Sequence, residues 1–155
     1  MNDQEKVAYK NKLKQFCNNI IDQRIEILKA AIENAQQSAN SEEKSSAGDK
    51  YETARAMSHL ERDMHTRQLA GNVKELSALH AINTNKIYNA VTNGAFVKCA
   101  EISFFIAIGI GKQIIDGEKI LFLSLSAPLA KLMEHKKAGD KFIFLDKKIF
   151  IVEVY

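Results

Sequence analysis

Residues 5–39 contain neither proline nor glycine and carry apolar side chains at helical spacing. This run constrains the fold more than any other feature of the chain. Leu13, Phe16, Ile20, Ile27 and Ala31 recur three, four or seven residues apart, and Ile21, Ile25, Leu28, Ile32 and Ala35 form a neighbouring row. At 1.5 Å per residue such a helix is about 50 Å long. A chain of 155 residues buries a rod of that length only if a second helix lies along it.

The second helix follows at once. Residues 40–48 (Asn-Ser-Glu-Glu-Lys-Ser-Ser-Ala-Gly) have turn chemistry. A helical pattern then resumes at Asp49, with Met57, Leu60, Met64, Val73, Leu76 and Leu79 as its expected apolar face, and fades near residues 83–85. Matched length around one short polar loop predicts an antiparallel coiled-coil hairpin over residues 1–83. Gly71 is its weak point, where a bend is expected.

After Asn93-Gly94 the period changes from helix to strand. Ala95–Cys99, Ile102–Ile108 and Lys119–Leu125 are rich in β-branched and aromatic residues, with a tight turn at Asp116-Gly117. Pro128, the only proline, opens a short helix over Leu129–Met133. Gly139-Asp140 makes a turn, and Lys141–Leu145 and Lys148–Val154 read as a closing hairpin around Asp146-Lys147. The expected class is α+β, with the hairpin at 1–83, a linker at 84–93, and a small β-rich domain with one short helix at 94–155.

Composition narrows the function. Hydrophobic residues make up 46% and charged residues 26%, a globular balance. The most apolar stretch, Ile102–Ile110, is nine residues, against about 20 for a membrane-spanning helix, and the polar, acidic first residues predict no secretory signal. Cys17 and Cys99, far apart and without metal spacing, read as buried hydrophobes in a reducing compartment, so a cytoplasmic protein is expected. Residues 1–83 hold 12 Lys/Arg against 12 Asp/Glu, whereas residues 84–155 hold 10 against 7, so the net charge of +3 falls in the second part. That asymmetry points to an anionic partner for that part.

Self-contained catalysis finds no support in the motifs. Gly109-Ile110-Gly111-Lys112 does not complete a phosphate loop, because Ile106 stands at the earlier glycine position and Gln113 replaces Ser/Thr. His59, His65, His80 and His135 lack ligand spacing, and neither Ser124 nor Ser126 sits in a nucleophile elbow. Near the expected hairpin tip, Glu42, Glu43, Asp49 and Glu52 gather carboxylates. These can deliver metal ligands into another molecule's cavity, or Asp49 and Glu52 can serve as a helix capping box. The lysines Lys131, Lys136, Lys137, Lys141, Lys147 and Lys148 cluster late in the chain, without an interleaved aromatic recognition motif.

The segment Ser126-Ala127-Pro128-Leu129-Ala130-Lys131-Leu132-Met133, followed by Lys136-Lys137-Ala138-Gly139-Asp140 and two closing strands, resembles the C-terminal domain of Gre-type transcription elongation factors. The resemblance is detailed over 94–155 and architectural over 5–83. It implies an FKBP-like fold for the β-rich domain and docking on bacterial RNA polymerase through Ser126, Pro128, Lys131, Lys136, Lys137, Gly139 and Asp140. It further implies that the coiled-coil tip enters the polymerase secondary channel to stimulate transcript cleavage or modulate elongation, so that the chain assists an enzyme and is not one itself. Asp49 and Glu52 are then the catalytic tip acids, sharing the Mg²⁺ of the polymerase site, with nascent RNA and DNA met only indirectly. No cofactor of its own, membrane or small-molecule substrate is implied. Where that family carries leucine-serine between the two acids, this chain has Lys50-Tyr51. The alternative is a non-catalytic coiled-coil interaction or chaperone-like protein with an FKBP-like domain. Prolyl isomerase activity would need an aromatic-lined apolar pocket, for which the sequence shows no residue set.

Overall fold

The computed structural model describes residues 1–42 and 48–155, with side chains described outside 41–51. The order of elements is α1 (Asp3–Glu42), α2 (Gly48–Ala81), β1 (Phe96–Cys99), β2 (Ser103–Ala107), β3 (Gly111–Ile115), β4 (Glu118–Ser124), α3 (Pro128–Met133), β5 (Lys141–Phe144) and β6 (Lys147–Val154). The class is α+β: two packed helices, then a six-stranded sheet with one short helix. The residues joining α1 to α2, where the hairpin tip was expected, lie outside the described residues. By internal contacts the chain forms two compact units, one of residues 1–18 with 78–155 and one of residues 19–77. No helix among the described residues is long and apolar enough to cross a membrane.

In the helical unit, α1 buries Ile21, Ile25, Ala35 and Ala39, a row stepped by three and four along one face. Ile27, from the other expected row, is exposed. On α2 the expected apolar face is corrected: Met57, Leu60, Met64 and Val73 are all exposed. Stepping back from Leu76 by three and four instead brings Asn72, Leu69, His65, Arg62 and Ser58 to partial burial. The chain tolerates this polar row because a long side chain covers apolar surface with its stem while its head finds a partner. Arg62 donates from Nη1 to Gln36 Oε1 of α1 at 2.9 Å. The helix runs through Gly71 without interruption.

The sheet unit is built around strand order β3-β4-β2-β1-β6-β5. Consecutive pairs are antiparallel except β2 and β4, which run parallel with Phe105 opposite Phe122. Strand β2 is buried at every position, the pattern of a strand covered on both faces. One face carries Phe96, Phe105, Phe122 and Tyr155, met by Tyr9 and Phe16 of α1. Tyr9 lies edge-on to Phe96 at 5.4 Å and Phe16 stacks on Phe122 at 5.8 Å. The other face packs Val97, Phe104, Ile106 and Ile151 with Leu129, Ala130 and Met133 of α3, and with Val91 and Phe142.

Two hairpin turns are set by register. Ile115 pairs with Glu118 across Asp116-Gly117, as expected. The last turn falls one residue earlier than the expected Asp146-Lys147: Phe144 pairs with Lys147, leaving Leu145 and Asp146 at φ 50° and 63°. Phe142 pairs with Ile149 and Lys141 with Phe150, so Leu145 and Asp146 close the hairpin as a two-residue turn in which both central residues take the positive φ that matches the twist of the strands.

Residues 84–93 are irregular yet held, with Val91 exchanging backbone hydrogen bonds with His135 and Lys136. Gly94, at φ 87°, ends the stretch, and a Cβ there would lie 2.6 Å from the Asn83 carbonyl oxygen. Gly94→Ala is therefore expected to destabilise the protein by about 1–3 kcal/mol. Gly71→Ala, in open helical space, should stabilise it by up to about 1 kcal/mol. Denaturant midpoints with unchanged slope check both signs.

Candidate functional site

The residues expected to bind a partner fall on one continuous segment, from the end of β4 through α3 to the start of β5. Ser126 and Ser124 share a hydroxyl–hydroxyl hydrogen bond of 2.9 Å, and Ser126 N–H donates to Ser124 Oγ at 3.3 Å. This tight turn feeds Ala127 in extended conformation into Pro128, whose ring fixes φ for the first helical residue. Over its six residues α3 buries Leu129, Ala130 and Met133 and leaves Lys131 exposed, 3.2 Å from Glu134.

The chain leaves α3 through His135 at φ 68°, with Lys136 N–H bonded to the Met133 carbonyl. Lys137 N–H then donates to Asp140 Oδ2 at 2.8 Å, and Asp140 N–H returns to the Lys137 carbonyl at 3.0 Å. Gly139, at φ 90°, donates its N–H to Ile151 of β6. Asp140 is thus a local turn lock. Ser126, Pro128, Lys131, Lys137, Gly139 and Asp140 are exposed and Lys136 is half-buried. Only Lys131 among these lysines has an ion-pair partner within the described residues.

The expected tip acids belong to the other unit. Glu52 is exposed on α2, and the Asp49 side chain lies outside the described residues, as does the capping box that would use it. Among the described residues no three His, Cys, Asp or Glu side chains gather as a metal set. Both cysteines are buried, and burial pushes the Cys17 thiol up to about 12 and the Cys99 thiol to about 11. Thiols held protonated at neutral pH are poor nucleophiles.

Three polar features of the sheet unit escaped the sequence reading. Asn2 and Glu5 form a reciprocal capping box, each side chain accepting the other's backbone N–H at 2.8 Å. Glu118 accepts from Ser103 Oγ at 2.8 Å and from Tyr9 Oη at 3.2 Å, joining β4 to β2 and α1. Burial and the Glu118 charge hold the Tyr9 phenol far above its ordinary range. Lys10 is fully buried. Its Nζ donates to the Lys86 carbonyl and lies 4.7 Å from the centroid of the Tyr88 ring. An asparagine-glutamate spacing signals the first. The others depend on chain segments about a hundred and about 76 residues apart, which no local pattern reveals.

Comparison with family models, with curated proteins and with solved structures returns no match. The functional reading therefore rests on the residues and their geometry.

Burial lowers the Lys10 amine to about 8 from an ordinary 10.5. The folded state therefore releases this proton before the unfolded state does, so the folded protein gains stability as pH rises between those values. The stability difference between wild type and Lys10→Met should shift toward wild type from pH 8 to 10, read from denaturant midpoints. A difference that stays flat over that window contradicts the burial of a charged amine.

Proposed function

We propose that this protein is a Gre-like factor that binds bacterial RNA polymerase through its sheet unit and places its helical hairpin in the polymerase secondary channel. The observation that carries the reading is the Ser126–Asp140 segment. Its serine, proline, lysine and glycine-aspartate residues keep the order of that family's C-terminal signature, and they lie on one largely exposed stretch. Charge supports it too, since the excess of lysine falls in residues 84–155 and a positive face speeds association with an anionic partner. A two-helix hairpin preceding a sheet capped by one short helix is the layout expected of such a factor, and an FKBP-like identity for the sheet unit is part of the proposal.

The chemistry would belong to the polymerase. A carboxylate supplied from outside would help hold a second Mg²⁺ there and orient the attacking water for hydrolysis of backtracked RNA. Asp49 and Glu52 would be that pair, acting as acceptor-only oxygens. The chain itself would provide reach, ligand charge and docking, and would be no enzyme alone. A non-catalytic occupant of the channel is the second reading, favoured by Lys50-Tyr51 standing between the two acids.

The test uses purified polymerase and a stalled, backtracked complex with magnesium. Lys131→Glu combined with Lys136→Glu and Lys137→Glu should weaken binding about tenfold or more. Asp49→Asn with Glu52→Gln should leave binding and melting temperature unchanged, because each replacement keeps the size and hydrogen-bonding capacity of the original side chain, while cleavage falls by about a hundredfold or more. Binding without any stimulated cleavage by the wild type would leave only channel occupancy. Absence of binding would overturn the proposal.

A further inference from the structure

Strand β5 forms one open edge of the six-stranded sheet. The Asp140 carbonyl accepts from the Ile151 N–H, and Lys141 pairs in register with Phe150. By alternation, Phe142 and Phe144 direct their backbone groups toward β6, and Lys141 and Ile143 direct theirs outward. Those outward amide and carbonyl groups have no strand beside them among the described residues.

The side chains on the same hairpin are unusual for a free edge. Ile143 is 64% exposed, Phe150 56% and Val152 58%. They alternate with lysines: Phe150 lies opposite Lys141, and Ile143 opposite Lys148. Beside the edge is a recess of ≈ 400 Å³ lined by Leu132, Lys136, Lys141, Phe142, Ile143 and Lys148, with no acid among them. None of Lys136, Lys141, Lys147 and Lys148 forms an ion pair among the described residues. Among the nearby acids, Asp140 accepts from Lys137 N–H, Glu153 pairs with Lys6 and Asp146 sits at the turn, while Glu101 lines a neighbouring recess together with Lys147, Lys148 and Phe150 and forms no ion pair with them among the described residues.

We propose that the β5 edge is a docking site for an extended segment of another protein in which every second residue is alternately acidic and apolar, added to the sheet as a further strand. The open backbone supplies main-chain hydrogen bonds, and the checkerboard of Ile143, Phe150 and Val152 with Lys141 and Lys148 matches a strand of the same period and opposite charge. Nucleic acid fits less well. Phe150 is a single stacking surface, the ten cationic residues of 84–155 are all lysine with no arginine fork for phosphate, and bases leave the edge amides unpaired. A lipid surface leaves them unpaired too, in hydrocarbon, where that costs most. A second copy would set Lys141 and its lysine neighbours against themselves, the like-charge device by which sheet edges avoid self-pairing. The recess shares Leu132 and Lys136 with the Ser126–Asp140 segment, but the β5 edge itself lies outside that segment and the proposal does not depend on polymerase binding.

The experiment uses the full chain, ¹⁵N-labelled, and a pool of octapeptides in which every second residue is alternately Asp or Glu and Val, Ile, Leu or Phe, with Ser or Thr between. The pool should bind and slow exchange of the Lys141 and Ile143 amides about tenfold or more. Lys141→Glu with Lys148→Glu should weaken binding about tenfold and favour the same pool with lysine in place of the acids. Phe150→Ser, a surface change, should weaken both pools alike. No binding at millimolar peptide, equal binding of acidic and basic pools by the wild type, or binding without protection of those two amides overturns the proposal. So does stronger binding of oligouridylate or of phosphatidylglycerol vesicles, or self-association that Phe150→Ser abolishes.

Discussion

The sheet unit depends on the first turns of α1 being packed onto it. Tyr9 and Phe16 meet Phe96 and Phe122, and Leu13 and Cys17 are buried completely in the same unit. Full burial of Leu13 alone contributes about 1.5–3 kcal/mol, and the other three add to it, a substantial share of a small domain's stability of about 5–15 kcal/mol. Polar links fix the geometry of this packing. Lys6 pairs with Glu153 at 2.6 Å, Lys12 with Asp116, and Lys14 donates to the Ile82 carbonyl at 2.7 Å. Without the helix, Phe96, Phe105, Ile120 and Phe122 would face water.

The Ser126–Asp140 stretch, which we propose as a docking segment, is held on the opposite face of the same sheet through Leu129, Ala130 and Met133. The α3 exit is tied in turn to Val91 by two backbone bonds. Leu145 is strained in its turn, and the apolar residues of β5 and β6 remain exposed. The first closes the hairpin; the second is understandable if that edge meets another surface.

Much of the architecture was legible because it is periodic or punctuated. The long helix showed in its spacing, the change at Gly94 in its period, and α3 in its proline. Three things were hidden. The inward face of α2 was misread because its largest apolar residues, Met57, Leu60 and Met64, point outward while Arg62 and His65 pack inward, so hydrophobicity alone chose the wrong phase. Strand β3 has no counterpart in the sequence reading, since Gly109 and Gly111 mask the start of a five-residue strand. The parallel pairing of β2 with β4, and the burial of Lys10 under residues 84–93, arise from contacts distant in sequence. Of the candidate site, the residues on one segment were readable as a motif. The exposed checkerboard on β5 and β6 needed register, which sequence supplies only when the turn position is known.

The most direct measurement is whether residues 84–155 fold without α1. Residues 84–155 alone, compared with the full chain by amide NMR and thermal unfolding, should give a poorly dispersed spectrum and no cooperative transition, because one face of the sheet is stripped. Adding residues 1–18 back through a short Gly/Ser linker at the N-terminal end should restore part of the dispersion. A well-dispersed spectrum from 84–155 alone, melting cooperatively near the temperature of the full chain, would contradict the account and make the helix an accessory to a self-sufficient sheet.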